Sequence, residues 1–198
     1  AGARTLEDVK SKEFVIGASG RGAGSFIMPT VMNQMFGAKF KIVTGYRGGA
    51  DLNIAMERGE TAGRSNSWSS WKTTKSDWLE KKWINLVAYA GPEAKDLAGV
   101  PHLNKLAKSE EDRRVLDVAF NGAVLGRPMV AGPGVPPERV AALRAAYIAT
   151  LADPEFAAAA KQSKVVPQPA VGVDMQKSVA GVLSAPPAVV DRVKRLMQ

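Results

Sequence analysis

Backbone N–H groups are the chemistry that the run Val15-Ile16-Gly17-Ala18-Ser19-Gly20-Arg21-Gly22-Ala23-Gly24-Ser25-Phe26 is suited to present. Glycines let successive N–H groups turn toward one point without Cβ clashes, and a helix opening there adds unpaired donors of partial positive charge. The run is a candidate anion cradle made by Ser19, Gly20, Arg21, Gly22, Ala23, Gly24 and Ser25, the serine hydroxyls adding donors beside the amides. A second glycine turn, Gly45-Tyr46-Arg47-Gly48-Gly49, repeats the arrangement, so Tyr46, Arg47, Gly48 and Gly49 join the candidates. Arg21, Arg47 and Arg64 each stand at the end of an expected strand, where a guanidinium grips a carboxylate through two parallel bonds. Asn66, Ser67 and Trp68, in the run Arg64-Ser65-Asn66-Ser67-Trp68, are expected to wall the same ligand.

Other chemistries fit these residues less well. Gly17 to Ser25 lacks the Gly-Lys-Ser/Thr ending of a phosphate loop, so no lysine reaches a nucleotide's terminal phosphates. Gly20-Arg21-Gly22-Ala23-Gly24 has Ser25 where a dinucleotide fingerprint needs its third glycine, and the second strand ends without the ribose-binding acid. Gly17-Ala18-Ser19-Gly20-Arg21 has Arg21 in place of the second glycine of a nucleophile elbow, and its base would have to be His102, the only histidine. His102 follows a proline in a loop and is expected at the surface. The acidic residues form neither a spaced metal motif nor a catalytic pair, and cysteine is absent. Binding without catalysis and without a cofactor is the expected function. The alternative is an enzyme that uses the glycine loop for a nucleotide or acyl substrate.

The elements that must position these groups follow from the pattern of apolar residues. Strands are expected at Glu13 to Ser19, Phe40 to Thr44, Thr61 to Asn66, Trp83 to Tyr89 and Arg127 to Ala131. Helices are expected from Phe26 to Phe36, capped by Ser25, with Pro29 in its first turn and Gly37 at its end, and from Asp51 to Arg58, stopping at Gly59. Further helices are expected at Glu110 to Phe120, Glu138 to Leu151, from Asp153-Pro154 through Lys161, and Pro187 to Met197, with an extended piece at Val165-Val166. Glu138 to Leu151 reads as the clearest amphipathic helix. Alternating strands and helices imply an α/β fold with a mostly parallel sheet, whose ligands sit beyond the C-terminal strand ends. Both glycine turns should open on that edge. Trp71, Trp78 and Trp83 are expected in the core or at a lobe boundary, with Trp68 the exception.

The 198 residues, 45% hydrophobic and 23% charged, have the composition of a soluble globular protein, without an apolar run of membrane-spanning length. The opening residues, Ala1 to Glu7, lack the apolar core of a signal peptide. A formal net charge of +8 favours negatively charged partners. The basic residues are spread over Lys10-Ser11-Lys12, Arg58, Lys72 to Lys82, Arg113-Arg114 and Lys194-Arg195 without forming one aromatic-laced stripe, which favours a generally solvated basic surface over a nucleic-acid interface.

Three spaced motifs resemble the solute receptors of tripartite tricarboxylate transporters. They are Ile16-Gly17-Ala18-Ser19-Gly20 through Ser25, then Gly45-Tyr46-Arg47-Gly48-Gly49 with the helix ending in Glu57-Arg58-Gly59-Glu60, and Ala131-Gly132-Pro133-Gly134-Val135-Pro136 before the helix leading to Ala152-Asp153-Pro154-Glu155-Phe156. The resemblance implies a periplasmic receptor of two α/β lobes closing over a small organic carboxylate and working with membrane transporter subunits. It also implies that residues 1–130 form the second lobe, that residues 131–198 return to pack on a first lobe, and that the family's opening strand and loop are missing here. On that expectation the chain binds its ligand weakly alone and self-associates through the apolar surface of the helices between Glu138 and Gln198. The stretch Arg64-Ser65-Asn66-Ser67-Trp68 departs from the aspartate-containing stretch common in the family, which points to a different solute.

Overall fold

The computed structural model describes residues 2–163, 165, 167 and 169–198. Three parallel strands form the sheet: β1 (Phe14–Ala18) lies between β2 (Phe40–Thr44) and β3 (Gly63–Arg64). The fold is α/β, with the small sheet outweighed by its helices.

Helix α2 (Gly24–Phe36) carries the chain from β1 to β2, and α3 (Gly49–Glu57) carries it back across β1 to β3. Right-handed crossovers in opposite directions put these helices on opposite faces. Alternation along β1 records this: Phe14 packs with Val31 and Met32 of α2, whereas the Cα of Gly17 faces Leu52 of α3. The strand order therefore reverses at β1 and β3, the place where open parallel sheets hold ligands.

The main core joins Val9 of α1 (Leu6–Ser11), Phe14, Val31, Met32 and Leu103 to Leu116 and Phe120 of α6 (Glu110–Leu125). Helix α1 is closed by a capping box in which Thr5 and Asp8 satisfy each other's backbone N–H groups. Between β3 and α6 lie α4 (Trp68–Thr74), α5 (Ser76–Glu80) and two short 3-10 turns, Lys95–Leu97 and Leu103–Leu106. The C-terminal part holds α7 (Pro137–Ala152), α8 (Pro154–Gln162), α9 (Gly172–Leu183) and α10 (Pro187–Leu196). Both α9 and α10 pack on α6, and Arg192 of α10 bridges Glu111 at 2.9 Å and also Asp112.

Several expectations require correction. Helix α2 starts at Gly24 with Ala23 as its cap residue, so Ser25 lies inside the helix and does not cap it. Pro29 consequently falls in the second turn, where the Thr30 hydroxyl donates to the Phe26 carbonyl at 2.8 Å. Gly37 ends the helix as expected, at φ 73°. The third strand shrinks to Gly63–Arg64, and the expected strand Arg127 to Ala131 is absent from the ladder. Of Trp83 to Tyr89 only Tyr89 pairs, in a single bridge with His102. Helix α7 buries none of its residues, and Leu143 and Ile148 stay exposed, so it is not the most sharply amphipathic helix of the chain. Trp71 and Trp78 are buried against each other, with ring centroids 6.1 Å apart, but Trp83 is 63% exposed and belongs to no core. The extended piece at Val165-Val166 falls partly outside the described residues.

Candidate functional site

The register of the sheet brings the glycine turns together. Ala18 pairs with Thr44 and Gly17 with Arg64, so the chain leaves all three strands along one edge, spanning two strand spacings of about 4.8 Å each. Gly17 makes this edge possible by close approach: a β carbon there would lie 2.5 Å from Leu52 Cδ2 and 3.3 Å from both Thr61 Cγ2 and the Tyr46 ring. Tyr46 and Leu52 thus close over the strand just before the first turn.

In the first turn, two backbone N–H groups are used by the protein. Ser19 N–H donates to the Ser25 hydroxyl at 3.2 Å, and Ala23 N–H closes a turn onto the Gly20 carbonyl at 3.0 Å. The N–H groups of Gly20, Arg21, Gly22, Gly24 and Ser25 find no acceptor among the described residues. Gly22 and Gly24 are exposed, while Ser19 and Gly20 are half-buried. Ser19 and Ser25 also face each other through their hydroxyls at 3.3 Å. Ser25 therefore braces the loop across its mouth. Arg21 leaves the cradle to lie over the Phe26 ring, 5.8 Å from its centroid, with its side chain exposed.

The second turn divides similarly. Arg47 N–H donates to the Asp51 carboxylate at 3.3 Å and its side chain is exposed, whereas the N–H groups of Tyr46, Gly48 and Gly49 have no acceptor among the described residues. Gly48 and Gly49 form the entry to α3, which presents its positive end to the same edge.

Arg64 is the arginine that turns inward. Its guanidinium stacks over the Trp71 ring at 5.0 Å and packs against Gly49 at the start of α3, and its buried Nε has no partner. No carboxylate among the described residues pairs with it, and burial pulls its pKa below the usual arginine value. A half-buried cation held at the positive end of a helix without a counter-charge is a site that an anion stabilises. Arg64 lines a cavity of about 370 Å³ with Gly49, Asn53, Ser70, Thr74 and Lys75. Lys75 is committed to Glu57 by an ion pair.

Asn66, Ser67 and Trp68 are placed at the turn into α4. Ser67 caps that helix, its hydroxyl accepting from Ser70 N–H at 3.2 Å. The side-chain nitrogens of Asn66 and Trp68 are buried without hydrogen-bond partners. Trp68 also carries Lys72 over its ring at 5.4 Å, and Lys72 bonds Asp96 at 2.9 Å, holding that carboxyl below the usual carboxylate range. Asn53 and Thr61, both buried with an unpartnered oxygen, belong to the same neighbourhood and were not among the sequence candidates. Nothing in their spacing marks them, since only the meeting of α3 with β1 and β3 brings them in.

His102 is half-buried and not at the surface. Its Nε2 lies 2.9 Å from the Gly91 carbonyl and its ring meets Tyr89 edge-on, and no hydrogen bond joins it to Ser19. Among the described residues, no group of three or more His, Asp or Glu side chains is placed to hold a metal ion, and no helix is long and apolar enough to cross a membrane. No protein-family model, curated protein or solved structure matches this chain.

Proposed function

We propose that this chain is a solute receptor of the tripartite tricarboxylate transporter type, one α/β lobe of a two-lobed periplasmic protein that holds a small organic carboxylate and delivers it to membrane subunits. The observation that carries the reading is the placement, along one sheet edge, of two glycine turns with unused backbone N–H groups and of the half-buried guanidinium of Arg64, which pairs with no carboxylate among the described residues. Ligand binding makes and breaks no covalent bond in this reading, so it needs no cofactor.

Magnitudes support a reversible receptor. Each hydrogen bond to a charged group contributes about 1.5–3 kcal/mol, while association costs about 4–15 kcal/mol in lost freedom. Three or four such bonds are together of the same order as that cost, so binding by these groups alone is weak, and contacts from an opposing lobe would tighten it.

Amide chemical-shift mapping tests the proposal. Titration with succinate should move the resonances of Gly20, Gly22, Gly24, Gly48 and Gly49 together and saturably, and succinamide, of equal size without charge, should leave them in place. Equal response to both compounds, or a response elsewhere in the chain, overturns it. The enzyme alternative makes a different demand: Ser19→Ala would then abolish turnover of an acyl substrate by orders of magnitude, whereas a receptor loses only part of its affinity.

A further inference from the structure

Strand β2 is an outer strand of the sheet, with β1 as its neighbour on one side. Backbone groups alternate in direction along a strand, so each group of β2 can be placed. Phe14 N–H donates to the Lys39 carbonyl at 3.0 Å, and Lys41 and Val43, two and four residues further on, face β1 in the same way. Phe40, Ile42 and Thr44 therefore send N–H and C=O sideways, out of the sheet. At Phe40 one side chain meets both groups: Phe40 N–H donates to Asn33 Oδ1, and Asn33 Nδ2 donates to the Phe40 carbonyl, each at 2.8 Å. The Asn33 carboxamide stands where a further strand would begin.

Past Asn33 the outer side of β2 is open. The N–H and C=O groups of Ile42 and Thr44 have no partner among the described residues, and Thr44 is exposed while Ile42 is half-buried. An unpaired strand side of this kind is a template for an added strand. Its side chains state a preference. Lys41 and Val43 share the face of Val15 and Gly17, and both are exposed. Lys41 and Lys39 take part in no ion pair among the described residues, and Glu13, the residue before β1, pairs with no cation either.

We infer that the open side of β2 binds an extended segment of another protein that carries an acidic residue opposite Lys41. Laid antiparallel, the segment exchanges two hydrogen bonds with Ile42 and two with Thr44, sets an apolar residue opposite Val43 and ends against Asn33. Its carboxylate faces Lys41 across a non-hydrogen-bonded pair, where Cα atoms stand about 4.5 Å apart. A second copy of this chain fits less well. Paired antiparallel about Ile42, its Phe40 would meet Thr44 with both backbone groups already held by Asn33. The two Lys41 side chains would also be like charges about 7–8 Å apart on one face. The inference does not rest on the carboxylate reading, since these groups point sideways from β2 and not beyond the strand ends.

The alternation makes the test specific. The probe is the peptide acetyl-Ser-Thr-Val-Thr-Glu-Gly-amide, in which the two threonines lie opposite Thr44 and Ile42 and the glutamate opposite Lys41. One control peptide carries lysine in place of glutamate, and another is N-methylated at both threonines, which removes the N–H groups that face β2. Amide titration with the probe should shift the Ile42 and Thr44 signals saturably while Lys41 and Val43, turned toward β1, move little. The N-methylated peptide should do nothing, and the lysine peptide should bind more weakly. Lys41→Glu, a change on the exposed face, should weaken the probe about threefold or more and reverse the preference between the glutamate and lysine peptides. Movement of the Ile42 and Thr44 signals with protein concentration alone would give this side of β2 to a second copy and overturn the inference. So would equal shifts at all four positions, an equal response to either control, a response centred on the glycine turns, no response at millimolar probe, or unchanged affinity in Lys41→Glu.

Discussion

Nη1 of Arg64 stands 2.9 Å from the point where a β carbon on Gly49 would lie. Gly49 opens α3 outside the left-handed region, so alanine fits its backbone and adds up to about 1 kcal/mol of helix propensity. The extra methyl group must instead push the guanidinium aside. Gly49→Ala is therefore expected to keep or raise the melting temperature while weakening succinate about tenfold, the loss of one charge-assisted bond. Calorimetric melting and the amide titration, run on the same sample, check the two halves separately.

Arg64→Met should separate binding from folding more sharply. The substitution forfeits a cation–π contact of about 0.5–1 kcal/mol with Trp71 and relieves an unfavourable charge at a helix N-terminus, an effect of about 0.3–1 kcal/mol. These nearly cancel, so stability in denaturant should stay within about 1 kcal/mol of the parent. Response to succinate should vanish. A variant that binds like the parent would show that Arg64 has no part in the site.

Gly17 tolerates no side chain for a different reason. Leu52, 1% exposed, and the Tyr46 ring occupy the space that a β carbon would need. Gly17→Ala should cost about 1–3 kcal/mol by overpacking, seen as a lower urea midpoint. The paired substitution Gly17→Ala with Leu52→Ala should cost less than the sum of the two single losses, because the 2.5 Å contact is with Leu52 Cδ2.

What was legible in the sequence was local. Glycine punctuation around β1, α2, β2 and α3 identified those elements, and the parallel register then placed both glycine turns on one edge, as their position after strands implies. What was hidden depends on tertiary meeting. Ser25 reads as a cap by residue type, yet Gly24 opens the helix and frees Ser25 to brace Ser19. Arg127 to Ala131 and Trp83 to Tyr89 have strand-like composition but no neighbouring edge to pair with apart from the Tyr89 bridge. The three arginines look alike in sequence, and only the packing of Trp71 and Gly49 distinguishes Arg64 from Arg21 and Arg47. Asn53, Thr61 and His102 take their places from tertiary packing that no spacing rule announces.

Arg192 ties α10 to α6 through Glu111 and Asp112, and it holds the Asp112 carboxyl below the usual carboxylate range. The sign of the pH dependence follows. A carboxyl whose folded pKa is depressed adds stability that is fully present above its unfolded value, about 3.9, and lost as pH falls through the lower folded value. The bridge is partly exposed, so its contribution is about 1 kcal/mol. Arg192→Gln should therefore destabilise the protein by about that amount at neutral pH, and the difference from the parent should shrink as the pH drops below about 3.9. Urea unfolding at a series of pH values measures it. A difference independent of pH would mean that Arg192 acts through packing, and one that grows in acid would contradict the depressed Asp112 pKa.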